Sequence, residues 1–344
     1  MYKYALVVLL LFIFGLINLF GVRPDLLQKQ IVAFVLGSIL FFVVRSIKPL
    51  FYFENATTLY ILGLTLLFLT YIVGAEFNGA KRWIDFGFYQ LQTSEVFKVT
   101  FLIFFSSLFA KHKDILSSPF LFVRSLLYVI PGLILIFFQP DLGTSLVFGL
   151  VYFVMLLMSS VPKKHVFTGV VVGIVLLPLF WLVLQPYQKN RITSFISPEQ
   201  HNESVSYNMR QSIITVGSGK IVGKGLGVGT QSKLSFLPEK HTDFAFASLI
   251  EQFGLIGGLL VIALLSTLFL FFMHRAYELR NEREPVRQFQ FFYTMGFSVF
   301  FFLHVFINIG MNLGMLPVAG LPLPFISYGG TFIMMLLMGM ALAI

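Results

Sequence analysis

The sequence predicts an all-α polytopic membrane protein of about ten transmembrane helices. Three observations carry that expectation. Of the 344 residues, 57% are hydrophobic and 11% are charged, whereas a soluble domain runs near ~45–50% and ~25%. Mean hydropathy is +0.88. The apolar residues also fall in continuous runs close to the ~20 residues that a helix needs to cross a bilayer. This balance excludes a soluble globular enzyme, a disordered chain and a collagen-like chain. A porin-type barrel is excluded too, because its strands alternate apolar and polar residues with period two.

The apolar runs are read in order as 4–20, 30–47, 57–74, 91–110, 120–138, 142–160, 165–184, 244–273, 289–309 and 325–344. The first has no small-residue cleavage site, so it reads as a retained span. A short polar connection covers 75–90. A long one, about 185–243, is rich in Gly, Ser, Gln and Lys. With few large apolar residues, the long loop has no core of its own. It is expected to pack on a single membrane domain covering 1–344, through amphipathic helices. Residues 311–330 are apolar but broken by Gly314, Pro317, Gly320, Pro322, Pro324, Gly329 and Gly330. Irregular backbone at membrane depth is tolerated against protein or a water-filled cavity, so this segment is expected to line one.

Basic residues set the orientation. Twelve lie on one set of short connections: Lys3, Arg45, Lys48, Lys111, Lys113, Arg124, Lys163, Lys164, Arg275, Arg280, Arg283 and Arg287. Four lie on the other: Arg23, Lys29, Lys81 and Arg82. The bias puts both termini in the cytoplasm and both polar connections outside. The net charge of +9 then reads as basic loops beside anionic headgroups. No basic-aromatic patch suggests nucleic acid. With no cysteine, thiol catalysis, zinc-thiolate sites and disulfides are all excluded.

Ionisable residues within or beside membrane spans are costly and so are functional candidates. Glu95 and Lys98 share a helix face at i, i+3. They form either a self-neutralising pair or an oriented ammonium able to hold a phosphate. Asp141, in Gln139-Pro140-Asp141-Leu142-Gly143-Thr144, is either the cap of the next helix or a carboxylate for a divalent cation. Asp243 ends the polar cluster Glu239-Lys240-His241-Thr242-Asp243, which runs directly into an apolar helix. A partly desolvated carboxylate there suits a general base, while helix capping by Thr242 or Asp243 accounts for the pattern equally well. Asn308 and Asn312 read as interhelical hydrogen-bonding residues. Gly217-Ser218-Gly219-Lys220 lacks the first glycine and the final Ser or Thr of a phosphate-binding loop.

Four motifs carry a family resemblance that spans nearly the whole chain. They are Lys81-Arg82-Trp83-Ile84 with Gln92-Thr93-Ser94-Glu95-Val96-Phe97-Lys98; Gln139 to Thr144; Gly217-Ser218-Gly219 through Leu237-Pro238-Glu239-Lys240-His241-Thr242-Asp243-Phe244; and Leu323-Pro324-Phe325-Ile326-Ser327-Tyr328-Gly329-Gly330. In this order the chain resembles the shape, elongation, division and sporulation (SEDS) family of bacterial membrane proteins, and most of all its rod-elongation members. Two positions depart from the family pattern: Thr93 stands where proline is usual, and Lys220 where glycine is common.

The resemblance implies a peptidoglycan glycosyltransferase that polymerises lipid II on the outer face of the cytoplasmic membrane. It also implies a class B penicillin-binding protein, a transpeptidase, as partner. On this reading Asp243 is the base. Lys98, Glu95, Arg210, Lys240, His241, Thr242 and Ser327 contact the substrate. Mg²⁺ or another divalent cation, with Asp141 as a ligand, is the expected cofactor. Two other functions suit the same cavity and charges, a lipid II flippase and a non-catalytic scaffold. No inverted repeat is visible, and the acids gather at one surface, whereas alternating access needs a midplane site.

Overall fold

The structure is a computed structural model that describes residues 2–77, 80–87, 89–111, 119–197, 203–234 and 236–344. Lys113 and parts of the long loop (198–202 and 235) therefore lie outside the described residues. The helices are α1 (Tyr2–Val22), α2 (Leu27–Ser46), α3 (Pro49–Glu54), α4 (Ala56–Val73), α5 (Thr93–Lys111), α6 (Pro119–Phe138), α7 (Leu142–Met158) and α8 (Lys163–Val183). They continue as α9 (Pro186–Ile196), α10 (Glu203–Ser218), α11 (Thr230–Lys233), α12 (Ala245–Leu279), α13 (Pro285–Asn312) and α14 (Gly330–Ala343). Among the described residues, six helical segments are long and apolar enough to cross a membrane, and α6, α7 and α14 are shorter apolar helices. The chain is a multi-pass helical membrane protein.

The connection 75–90 is more ordered than a polar loop. It holds an antiparallel sheet of β1 (Ala75–Phe77), β2 (Ala80–Asp85) and β3 (Gln90–Gln92), in the order β1-β2-β3. Trp83 pairs with Gln92 and Asp85 with Gln90. Strands this short give little alternation to read, so hydropathy alone misses them.

The chain divides into two compact units. The first comprises Met1–Gly37, Pro186–Phe271 and Phe301–Met334. Its core includes Leu237, Phe244 and Ala247, packed by Val216 and Val318. Buried amides supply the polar contacts. Asn18 Nδ2 on α1 donates to the Ala245 carbonyl (3.2 Å), and Gln252 Nε2 donates to Asn18 Oδ1 (2.7 Å). On α2, Gln30 donates to the Ser327 carbonyl and accepts from Gly329 N, both at 3.2 Å.

The second unit comprises Ser38–Gln185, Phe272–Phe300 and Met335–Ile344. Its centre is α5, which is buried along most of its length. Phe101 packs on Phe105 (centroids 4.5 Å) and Phe148 (4.9 Å), and Tyr60 of α4 stacks on Phe104 (4.3 Å). A Cβ at Gly63 of α4 would collide with the Thr100 hydroxyl, so glycine sets that close approach. Thr93 opens α5, and its hydroxyl shares a 2.8 Å hydrogen bond with Thr70.

One feature of α12 departs from its uniform apolar run. Its 35 residues would measure about 52 Å as a straight helix, well beyond a ~30 Å hydrocarbon layer. It is broken at Gly254 (φ 69°, ψ −172°). The backbone groups freed by the break pair with the segment 220–225. Lys224 N donates to Glu251 O (2.9 Å), Gly225 N to Gln252 O (3.1 Å), Leu255 N to Lys220 O (2.9 Å) and Ile256 N to Ile221 O (3.2 Å). Internal pairing of this kind is what irregular backbone requires inside a membrane protein.

Candidate functional site

Within the first unit, the cluster Lys240–Asp243 forms the turn that leads into α12. Its backbone is held residue by residue. The Lys240 carbonyl accepts from Ser248 Oγ (3.0 Å), that of His241 from Tyr328 N (2.8 Å), and that of Thr242 from Ser327 Oγ (2.6 Å). The Asp243 carbonyl accepts from both Asn308 Nδ2 and Asn312 Nδ2, each at 3.0 Å. Both asparagines are fully buried on α13. Asn312 Oδ1 in turn accepts from Ala247 N (3.0 Å), and Asn308 also donates to Leu321 O (2.7 Å). Buried amides that satisfy backbone groups fix the chain more firmly than apolar packing does, because each lost bond leaves an orphaned polar group.

Asp243 is only partly buried. Its Oδ2 lies 3.6 Å from the point where a Cβ at Gly320 would stand. Arg191 Nη1, on α9, lies 3.9 Å from the same point. Sequence reasoning missed Arg191, because an arginine within a long polar loop reads as a solvated charge.

The other expected residues of this unit take different parts. Ser327 is buried, and its hydroxyl is committed on both sides to backbone, donating to Thr242 O and accepting from Leu323 N (2.8 Å). It is a brace. The Lys240 ammonium donates to the Ser232 carbonyl, and burial holds its pKa below the ordinary 10.5. The Thr242 hydroxyl donates to Glu239 Oε2 (2.9 Å). The His241 ring lies 5.9 Å from the Tyr328 ring. Its pKa is lowered from 6.5, chiefly by burial; Arg23 and Lys240 add to the lowering, and Glu239 and Asp25 oppose it. Arg210 is exposed on α10.

Glu251 is wholly buried and gathers the long loop onto α12. Its carboxylate accepts from Ser232 Oγ (2.6 Å), Ser232 N and Gln231 N (2.9 Å each), Lys224 Nζ (3.1 Å) and Ser218 Oγ (3.4 Å).

In the second unit, Lys98 Nζ donates to Glu95 Oε2 at 2.7 Å and lies 5.7 Å from the Phe300 ring centroid. Glu95 is 3% exposed. Asp141 caps α7, with Oδ1 accepting from Thr144 N (3.2 Å), and its Oδ2 stands 3.7 Å from Arg82 Nη1. Arg82 also grips the turn itself, donating to the carbonyls of Gln139 (3.2 Å) and Pro140. So the Lys-Arg-Trp-Ile motif holds the Gln-Pro-Asp motif in place.

A carboxylate 2% exposed, with one oxygen on a helix N-terminus and the other facing a guanidinium, is a poor cation ligand. No group of three or more His, Asp or Glu side chains among the described residues could hold a metal ion. Asp141 and its surroundings do not fit the expected divalent-cation site, so no chemistry is routed through a metal below.

Residues 3–344 match the family of FtsW, RodA and SpoVE, described as cell cycle proteins. The chain belongs to this SEDS family. It is 34% identical over 320 residues to peptidoglycan glycosyltransferase MrdB of Escherichia coli K12, covering 93% of this chain and 85% of that one. It is 32% identical over 329 residues to the probable peptidoglycan glycosyltransferase FtsW of Hydrogenovibrio crunogenus, covering 94% and 82%. Two solved structures share the SEDS fold. One, described as structural coordination of polymerization and crosslinking by a peptidoglycan synthase complex, has a TM-score of 0.84 at 28% identity, covering 100% of this chain and 96% of that one. The other is rod shape determining protein RodA of Thermus thermophilus, with a TM-score of 0.72 at 27% identity, covering 100% and 95%.

Proposed function

We propose that this SEDS chain, a peptidoglycan glycosyltransferase like its relatives, polymerises lipid II for cell elongation with Asp243 as general base. The observation that carries the reading is the Asp243 backbone, clamped by Asn308 and Asn312, at a residue that is only partly buried. An acceptor hydroxyl gives its proton to that carboxylate as its oxygen bonds the anomeric carbon. The bond from that carbon to the lipid diphosphate breaks, and its electron pair leaves with the diphosphate. A positioned base contributes typically ~10²–10⁴-fold to such a step.

On this reading the chain makes ten spans, with the turn at Asp243 on the extracytoplasmic side of the bacterial cytoplasmic membrane. The partner is a class B penicillin-binding protein that cross-links the new strands. The elongation role, in preference to division, rests on Gly320-Leu321-Pro322-Leu323-Pro324.

The test is polymerisation of purified lipid II by the purified chain with its transpeptidase, wild type beside Asp243→Asn. A glycan ladder from wild type and none from the folded variant supports the assignment. A normal ladder from the variant removes Asp243 from the mechanism.

A further inference from the structure

The strip 220–228 is built inside out for a loop in water. Apart from its glycines and two lysines, its side chains are Ile221, Val222, Leu226 and Val228. All four are exposed, Val222 at 75% and Ile221 at 64%. Charge points the other way: Lys224 Nζ turns inward to the buried Glu251 (3.1 Å). A water-facing loop does the reverse, and a group of exposed apolar side chains marks an interaction surface.

The backbone of the strip suits a medium that offers no hydrogen bonds. Besides the four bonds to α12 across the break at Gly254, Gly223 N donates to Gly219 O (2.8 Å) and Gly227 N to Gln252 Oε1 (3.1 Å). The approach to α12 is close: a Cβ at Gly223 (φ 82°) would strike the Gln252 carbonyl. Irregular backbone needs such internal partners wherever lipid replaces water.

Two helices place the strip at the edge of the hydrocarbon layer. No ionisable residue stands between Glu251 and His274. Helix from Leu255 to Met273 measures about 28 Å, against a ~30 Å layer. A span that ends at His274 therefore begins at the Gly254 break, where the strip is attached. The second helix is α1, which ends at Val22, just before Arg23. Gly227 N lies 2.9 Å from the point where a Cβ at Gly21 would stand. Leu255, Ile256 and Leu259 of α12 are exposed beside the strip and continue its apolar surface.

We propose that the strip is seated in the membrane, with Ile221, Val222, Leu226 and Val228 inserted among lipid acyl chains at the end of the α12 span away from His274. The occupant of this surface is lipid, because the surface continues the exposed apolar face of a membrane span. Lys220, exposed where the strip begins, stands where a lysine can extend to phosphate headgroups. Insertion of this kind strengthens with the apolar area buried. The inference holds whatever reaction the Asp243 turn performs.

The chain has no cysteine, so one introduced thiol can carry a nitroxide at a chosen site. The full chain in phosphatidylcholine nanodiscs is labelled at Val222→Cys and, separately, at Val228→Cys. Leu259→Cys supplies the lipid-facing reference, and Asn281→Cys, in the polar turn after α12, the water-facing one. Thermal denaturation checks that each variant is folded. Collision rates with oxygen, which concentrates in lipid, and with a nickel chelate, which stays in water, give the depth of each label.

Labels at 222 and 228 should lie about 5–10 Å below the phosphates, favouring oxygen as the label at 259 does and unlike that at 281. If one variant does not fold, the other carries the test. A label on the water side of the phosphates in either folded variant overturns the proposal. Shielding from the nickel chelate that arises only when the transpeptidase is added would assign the strip to a protein partner and also overturn it.

Discussion

Asn312 bridges Asp243 and Ala247, donating to the carbonyl of the first and accepting from the amide of the second, each at 3.0 Å. Asp243 lies two residues before α12 and Ala247 belongs to its first turn, where helix N–H groups lack intrahelical acceptors. Asn312 caps the helix from outside it and fixes Asp243 in the same act.

Asn312→Ala removes both bonds and orphans a buried amide. Stability should fall by about 1–3 kcal/mol. Polymerisation should fall further than in Asn308→Ala, which leaves the Ala247 bond in place. Thermal denaturation in detergent and the glycan ladder, taken together, check this. Equal activities in the two variants would separate the Asn312 clamp from the reaction.

Glu251→Ala should loosen the loop from 218 to 233 far more than Lys224→Ala does. The carboxylate also holds Gln231 and Ser232, whereas Lys224 is partly exposed and can turn to water. About 3 kcal/mol is expected for Glu251→Ala, the low end of breaking a buried pair. Hydrogen exchange of the amides at 231 and 232 reads it directly.

Lys98→Met should destabilise the second unit by about 3–5 kcal/mol, since it leaves Glu95 charged and buried. Adding Glu95→Gln should restore much of that loss. If the pair also handles phosphate, the double variant will be stable and slow. Recovery of full polymerisation along with stability would make the pair structural alone.

His241 predicts a pH dependence. Burial holds its folded pKa below 6.5, so on acidification the unfolded chain takes up the proton first. The contribution is complete above about 6.5 and is lost as pH falls through the lower folded value. In a melting series from pH 8 to 5, wild type should lose more stability than His241→Gln. Parallel curves would place the acid sensitivity elsewhere.

The multi-pass helical fold was legible in the sequence because unbroken hydropathy is a strong, local signal. Asp243 stood out as a candidate because five polar residues run straight into an apolar helix. What surrounds Asp243 was not legible. Asn308 and Asn312 declared themselves as hydrogen-bonding groups, but their acceptor lies 65 and 69 residues away in sequence, and nothing local selects it. Ser327 was expected to contact substrate on the family resemblance, whereas its hydroxyl holds backbone together. Asp141 read more readily as a helix cap than as a cation ligand, and the Thr144 amide bond and the nearby Arg82 guanidinium favour the cap. Gly254 gave no signal, since Gly257 and Gly258 stand in the same apolar run and the break depends on a segment some thirty residues earlier.

That last dependence bears on how the chain is made. A ribosome delivers 220–225 before it delivers Gly254. The strip of backbone that satisfies the interrupted helix therefore already exists when the interruption emerges. Had the order been reversed, four peptide groups would have waited in a hydrocarbon setting for partners not yet synthesised. Circular permutation that moves 220–225 behind α12 should therefore lower the yield of inserted protein even where the final fold is the same.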